Sequence, residues 1–368
     1  MRVAVFHDYL NQFGGAERVL RSILDLFPDA DVYTLLYDKE KTRGMFEDRR
    51  IVTSFLDNKL VQRHHRMFIP LMPFASEWMK MRGPYDVVIS STAGYAKGFG
   101  RRKRLEKEPF HISYCHSPLR YAWEIDYLKN LPFSPQSMSK SILRPVARWI
   151  REWDRRASTR VNVFIVNSRY IKGKVRAYYG REAQVVYPPV LDKVFYHEPE
   201  SEVGDYYLMA GRLLYYKVFD LGIRAFNRLR IPLKVIGRGP EAEKLKNIAD
   251  PSVVEFIPYV SDEELRGWYN RARGFIFPQV EDFGLVAAEA QACGTPVVGY
   301  NAGGGAEIVE NKKTGILFDD QNVESLIKAV REAERTRFDR SYIARRAGRF
   351  SESKFREDFM KVVQDSGF

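Results

Sequence analysis

Gly274-Phe-Ile-Phe277, Glu281-Asp-Phe-Gly-Leu-Val-Ala-Ala-Glu289 and Pro296-Val-Val-Gly299, read in that order, decide the fold. The first run is apolar, aromatic and too short for a helix. A turn containing Gly284 follows, and then small and apolar residues of helix length that Gly294 stops. A β-branched pair comes next. Strand, turn, helix and strand in this order are the repeating unit of a parallel α/β sheet. Two glutamates, Glu281 and Glu289, flank the turn and the helix. In such sheets the carboxyl ends of the strands deliver groups to a ligand, so these carboxylates read as a binding edge.

Working outward, the second half repeats the pattern. Strands are expected at Tyr206-Tyr-Leu-Met-Ala210, Leu233-Lys-Val-Ile236 and Val253-Val-Glu-Phe256, with helices over 219–229 and 241–248. A further helix should start at Asp262, with Ser261 as its cap and Glu264 closing a capping box. The first half reads the same way. Strands are expected over 3–6, 32–36, 87–89, 110–114 and 163–166, and a helix over 16–27 that turns Val19, Leu20, Ile23, Leu24 and Phe27 to one side.

A chain of 368 residues exceeds what one core usually supports. The boundary is expected at Tyr187-Pro-Pro-Val-Leu-Asp192, where two prolines stiffen the chain after a strand-like run. The expected division is a first α/β domain over 1–188, a second over 189–349, and a terminal helix over 350–368. Two such domains would face each other across a cleft that can close and exclude water.

The formal net charge is +12, and it is unevenly placed. Residues 1–190 hold 33 Lys/Arg against 19 Asp/Glu, whereas the remainder holds 26 against 28. The basic half fits anionic partners, although solubility alone would also explain it. Cys115 and Cys293 lie far apart and outside any metal or redox spacing, which fits a reducing compartment. The first residues read as a strand rather than a leader peptide, and no apolar run has the length of a membrane span.

Several short motifs carry chemistry. Gly14-Gly15 precedes the first helix and lets backbone amides approach an anion, but its spacing is not the dinucleotide fingerprint. Gly211-Arg212 follows a strand, with Lys217 five residues on, so two cations can meet one phosphate group. Gly237-Arg238-Gly-Pro240 follows another strand, where its glycines would admit a ring or a phosphate. Phe283, Gly284 and Leu285 form the turn between the two glutamates. A carboxylate accepts well from paired sugar hydroxyls, so Glu281 and Glu289 fit two sugars of one ligand. His116 sits at a strand exit within Tyr114-Cys-His-Ser-Pro118, and His7 is a weaker candidate of the same kind. His64-His65 lacks metal-site spacing, and no zinc or carboxylate-cluster pattern is present, so no metal is expected.

Residues 62–82 mix Arg63, His64, His65 and Arg66 with bulky apolar side chains, and Arg101, Arg102, Lys103 and Arg104 add a basic cluster. This composition fits a face lying on an anionic lipid surface. The prolines argue against one continuous amphipathic helix.

Taken jointly, Gly14-Gly15, His116, Arg212 with Lys217, Gly237-Arg-Gly-Pro and the E-x7-E stretch resemble the retaining glycosyltransferases of family 4. These have the GT-B architecture of two Rossmann-like domains with a terminal helix crossing back. The opening Phe-His-Asp-Tyr-Leu and Cys-His-Ser-Pro-Leu-Arg-Tyr-Ala-Trp are similar, more particularly, to GDP-mannose-dependent mannosyltransferases of the WbaZ type, which build bacterial surface polysaccharide such as O-antigen.

The resemblance implies roles. Glu289 would take the ribose hydroxyls and Glu281 the donor hexose, with Arg212 and Lys217 holding the diphosphate in place of a metal. Gly211, Gly237, Arg238, Phe283, Gly284 and Leu285 would line the donor, and Gly15 would approach it from the first domain. His116 would meet the moving sugar at a hydroxyl or a developing positive charge. The expected reaction is same-face transfer of an α-mannosyl unit from GDP-mannose to a polyprenyl-diphosphate-linked saccharide. The enzyme would sit peripherally at the cytoplasmic face of the inner membrane, with no nucleic acid bound. A UDP-hexose donor, or a non-catalytic module binding nucleotide sugar or nucleic acid, are the alternatives. Storage-glucan enzymes share the architecture but are longer.

Overall fold

A computed structural model describes residues 1–100, 108–124 and 140–368, with the side chains of Arg66 and of residues 140–143 outside the description. The chain forms two compact units, Met1–Val186 with Arg356–Phe368, and Tyr187–Phe355.

The first unit is a seven-stranded sheet of β1 (Val3–His7), β2 (Asp31–Thr34), β3 (Ile51–Thr53), β4 (Val87–Thr92), β5 (Phe110–Cys115), β6 (Val163–Val166) and β7 (Ala183–Val185). Its order is β3-β2-β1-β4-β5-β6-β7, and every pairing is parallel. β1 and β4 are buried along their whole length, as strands covered on both faces must be, which is why their sequences are runs rather than alternations. The helix Gly15–Leu26 buries Val19, Leu20, Ile23 and Leu24, the face its periodicity marks. The chain's last helix, Glu352–Asp365, contributes its C-terminal part to this unit. Phe359 is fully buried there, with ring centroids 6.4 Å from those of both Phe27 and Tyr114.

The second unit is a six-stranded parallel sheet of β8 (Tyr207–Ala210), β9 (Leu233–Ile236), β10 (Val254–Ile257), β11 (Gly274–Phe277), β12 (Val297–Tyr300) and β13 (Gly315–Phe318). Its order is β10-β9-β8-β11-β12-β13. The capping box is formed: Glu264 N donates to Ser261 Oγ at 3.1 Å, and Ser261 N donates to Glu264 Oε2 at 2.7 Å. Each unit is a Rossmann-like α/β sheet.

Some elements differ from expectation. The second strand ends at Thr34 rather than Leu36, and β3 and β13 have no local signal that separates them from loops. Residues 59–78 are helical almost throughout, as Lys59–His64, a tighter 3-10 stretch His65–Leu71 and Met72–Trp78. The prolines are accommodated because Pro73 stands at the start of the last segment, where a missing amide costs nothing, and Pro70 lies in the 3-10 turn.

Candidate active site

In the first unit the strand order reverses between β1 and β4, so the loops leaving these two strands diverge and open a crevice at their carboxyl ends. His7 ends β1, Ser91 lies near the end of β4, and His116 follows β5 directly. The parallel register therefore brings three residues distant in sequence to one edge. His7 Nδ1 lies 3.1 Å from Ser91 Oγ, and Ser91 Oγ lies 2.8 Å from His116 Nε2. Burial pushes the His116 imidazolium down to about 3, with His7 adding a smaller effect in the same direction. The ring is therefore neutral at ordinary pH and works as a hydrogen-bonding group.

The loop after β4 is pinned from two sides. The Asp8 carboxylate accepts from the amides of Ala93, Tyr95 and Ala96 at 2.6–2.7 Å. Lys97 and Asp154 form a fully buried ion pair at 2.5 Å, and Asp154 also accepts from Trp123 Nε1 and the Tyr179 hydroxyl. Such a pair gives little net stability but tolerates no loss of one partner.

Gly14 caps the first helix in extended backbone (φ −163°) and Gly15 opens it; neither has the positive φ that would demand glycine. Space is what Gly14 supplies, since a Cβ there would sit 3.1 Å from Glu17 Oε2. Glu17 is a buried acid that sequence reasoning missed. Its only signal was an acidic residue in the first turn of a helix, which is common at surfaces.

In the second unit the order reverses between β8 and β11. Gly211, Arg212 and Lys217 leave the first of these strands, and Gln279 and Glu281 leave the second. Lys217 Nζ is paired with Glu281 Oε1, which also accepts from Gln279 Nε2 at 3.1 Å. Expectation placed Lys217 beside Arg212. The structure joins Lys217 to Glu281 and leaves Arg212 exposed earlier in the same loop. Glu289 is buried in the helix Leu285–Ala292, which Gly284 opens at φ 104°.

The other donor-side candidates divide. Gly237 is held against a neighbouring loop. At φ 154° its Cβ would fall 1.9 Å from the Gly211 carbonyl oxygen, so the glycine allows two loops to pack backbone on backbone. Leu213 N donates to Arg238 O at 2.9 Å across the same contact. Arg238 is exposed, its guanidinium 5.3 Å from the Tyr259 ring. Phe283 is buried against Tyr187 and Phe350, at 5.7 and 5.4 Å between ring centroids, and serves the core. Leu285 is half-buried at the start of its helix.

Arg63 and His64 are exposed, and the half-buried His65 ring lies 5.8 Å from that of Tyr9. Arg66 falls in the 3-10 stretch, and Arg101, Arg102, Lys103 and Arg104 lie outside the described residues. Among the described residues no group of three or more His, Cys, Asp or Glu is placed to hold a metal ion. Among them, too, no helix is long and apolar enough to cross a membrane.

Two family models match the chain: Glycosyltransferase Family 4 over residues 13–192 and Glycosyl transferases group 1 over residues 195–350. The chain belongs to glycosyltransferase family 4. Its relatives include an uncharacterized glycosyltransferase of Haemophilus influenzae, 34% identical over 134 residues, covering 33% of this chain and 37% of that protein. Another is the GDP-mannose-dependent alpha-(1-6)-phosphatidylinositol monomannoside mannosyltransferase of Mycolicibacterium smegmatis, 32% identical over 215 residues, 50% of this chain and 56% of that protein. The matches thus span from about a third to just over half the length of these curated relatives.

Among solved structures, sucrose-phosphate synthase from Thermosynechococcus elongatus is similar with a TM-score of 0.75 at 16% identity, covering 99% of each chain. The lipopolysaccharide outer core galactosyltransferase WaaB gives 0.71 at 17%, covering 100% of each. This family 4 chain therefore has the GT-B fold, with two Rossmann-like sheets and C-terminal helices.

Proposed function

We propose that this chain transfers an α-mannosyl unit, with retention, from GDP-mannose to a lipid-linked saccharide in the synthesis of a bacterial surface polysaccharide. The observation that carries the reading is the Lys217–Glu281 pair at the strand-order reversal of the second unit, beside the helix that bears Glu289. A cation and two carboxylates at one sheet edge match a nucleotide diphosphate sugar, which offers phosphates to the first and hydroxyls to the others.

With the donor bound, Lys217 and the exposed Arg212 turn to the diphosphate, and Glu281, released from Lys217, accepts from hexose hydroxyls. Glu289 accepts from the ribose. Gly15 approaches the donor, and neutral His116 meets a hydroxyl of the moving hexose. The C1–O bond to the diphosphate breaks as the acceptor oxygen attacks from the same face. The departing phosphate oxygen takes the acceptor proton, and the two cations stabilise its growing charge. The mannose donor is supported by the GDP-mannose-dependent relative and by the WbaZ-type motifs at 6–18 and 115–123.

The acceptor side is the basic first unit. Met67, Leu71, Phe74 and Trp78 are exposed and recur at helical spacing, and Phe55 packs on Trp78. Lys59 and Arg63 are exposed on the same helical run, Lys80 and Arg82 in the loop just after it, and Arg144 and Arg148 on the helix Lys140–Ser158, whose Trp149 stacks on Phe74. Apolar side chains ringed by cations fit the headgroup layer of an anionic cytoplasmic leaflet, where a polyprenyl-diphosphate acceptor resides.

A donor panel tests the reading, with purified protein and a polyprenyl-diphosphate saccharide in anionic vesicles. GDP-mannose is the expected substrate, and Glu281→Gln should lower kcat/KM at least a hundredfold. Turnover with a UDP-hexose alone overturns the mannose assignment, and turnover with no donor overturns the enzyme.

A further inference from the structure

Four residues in the first unit form a connected chain that the donor-site reading leaves unused except at its end. Glu17 Oε1 lies 3.8 Å from His7 Nε2 and accepts from Gln12 Nε2 at 3.3 Å. His7 Nδ1, Ser91 Oγ and His116 Nε2 continue the line at 3.1 and 2.8 Å. All four side chains are buried, Glu17 to 1% exposure and Ser91 completely. Glu17 Oε2 has no hydrogen-bond partner among the described residues, so this is an under-satisfied buried carboxylate held beside an imidazole. A structural acid in such a place would be costly to keep.

We infer that Glu17 is a positioning residue: through His7 and Ser91 it holds His116 as the Nε2–H tautomer, leaving His116 Nδ1 as a hydrogen-bond acceptor for a substrate hydroxyl. The reasoning is a count of protons. Ser91 has one hydroxyl hydrogen and two imidazole neighbours, so it donates to one and accepts from the other. If it donates to His116, a His7 with one ring proton must carry it on Nδ1 and turn the Nε2 lone pair toward the buried carboxylate. That arrangement is repulsive in a low dielectric. If Ser91 donates to His7 Nδ1, then His7 Nε2–H faces Glu17, and Ser91 accepts from His116 Nε2–H. The negative charge on Glu17 thus selects the second arrangement and fixes the proton two residues away. His116 Nδ1 has no hydrogen-bond partner among the described residues. An acceptor nitrogen accepts a hydrogen bond from a sugar hydroxyl, and the opposite tautomer would present a donor to the same atom.

The inference rests on the assignment of His116 to the hexose, and the decisive measurement is independent of it. The chain has six histidines, few enough to assign by substitution with 15N-histidine labelling. At pH 8, where an ordinary imidazole is neutral, the wild type should show His116 protonated at Nε2 and bare at Nδ1. Glu17→Gln keeps the shape and removes the charge; Ser91→Ala cuts the chain in the middle. Each should release His116 into a mixture of tautomers and lower kcat/KM for the donor about tenfold, whereas Glu17→Asp, which keeps the charge, should retain more of both the tautomer and the activity than Glu17→Gln. His116 protonated at Nδ1 in the wild type, or a tautomer unmoved by both substitutions, overturns the inference. A tautomer that behaves as stated while His116→Gln turns over donor normally upholds the chain and overturns the hexose contact instead.

Discussion

Acid should weaken the first unit through two imidazoles. His111 and His116 are both buried, and burial lowers each from an ordinary value of 6.5 to about 3. His111 Nε2 is 2.8 Å from Ser90 Oγ, and its ring sits edge-on to Phe99 at 4.8 Å. Because the folded-state values are depressed, the unfolded chain binds a proton first. Stability is full above pH 6.5 and is lost as pH falls from there toward 3. Between pH 7 and pH 5 each histidine should cost about 2 kcal/mol, and the pair about 4 kcal/mol. Carboxylates titrate mainly below that window.

Urea unfolding at a series of pH values reads this directly. Four of the five tryptophans, Trp78, Trp123, Trp149 and Trp153, belong to the first unit, so fluorescence follows it. His111→Gln shifts the absolute stability for other reasons, but the loss between pH 7 and pH 5 should shrink by about 2 kcal/mol. An unchanged pH dependence, or an NMR titration placing either imidazole above pH 5.5, refutes the reasoning. It would also reopen a cationic role for His116 at the moving sugar.

Three further outcomes are expected. Gly237→Ala must push a Cβ against the Gly211 carbonyl and strain a backbone at φ 154°, so the second unit should lose at least about 3 kcal/mol in thermal or urea unfolding. Gly173→Ala is the control: it lies mid-helix with nothing within 4 Å of the added methyl and should gain about 0.5–1 kcal/mol. For the exposed apolar stripe, Phe74→Glu with Trp78→Glu should cut binding to anionic vesicles at least tenfold while leaving turnover of a water-soluble acceptor intact. Equal binding by the variant would remove the stripe as the membrane contact.

The sequence by itself determined what is local. Apolar runs and helical periodicity placed β1, β4, β5, β8, β9 and β11, and Ser261 with Glu264 marked a helix start that forms as read. The spacing of Glu281 and Glu289 is likewise covalent, since one loop turn and about one helical turn join them. Tertiary structure decided every partnership between strands. Lys217 meets Glu281 across 64 residues, and His7 meets Ser91 across 84. Which side chains share a sheet edge depends on strand order, and strand order depends on how crossover helices pack, a choice spread over the whole core. Packing also supplied partners that residue type does not announce. Phe283 went to the core, Gly237 to a contact between loops, and Glu17, an unremarkable acid in a first turn, became the charge beside His7. Local chemistry identifies a functional group. Only its neighbours decide its protonation and its job.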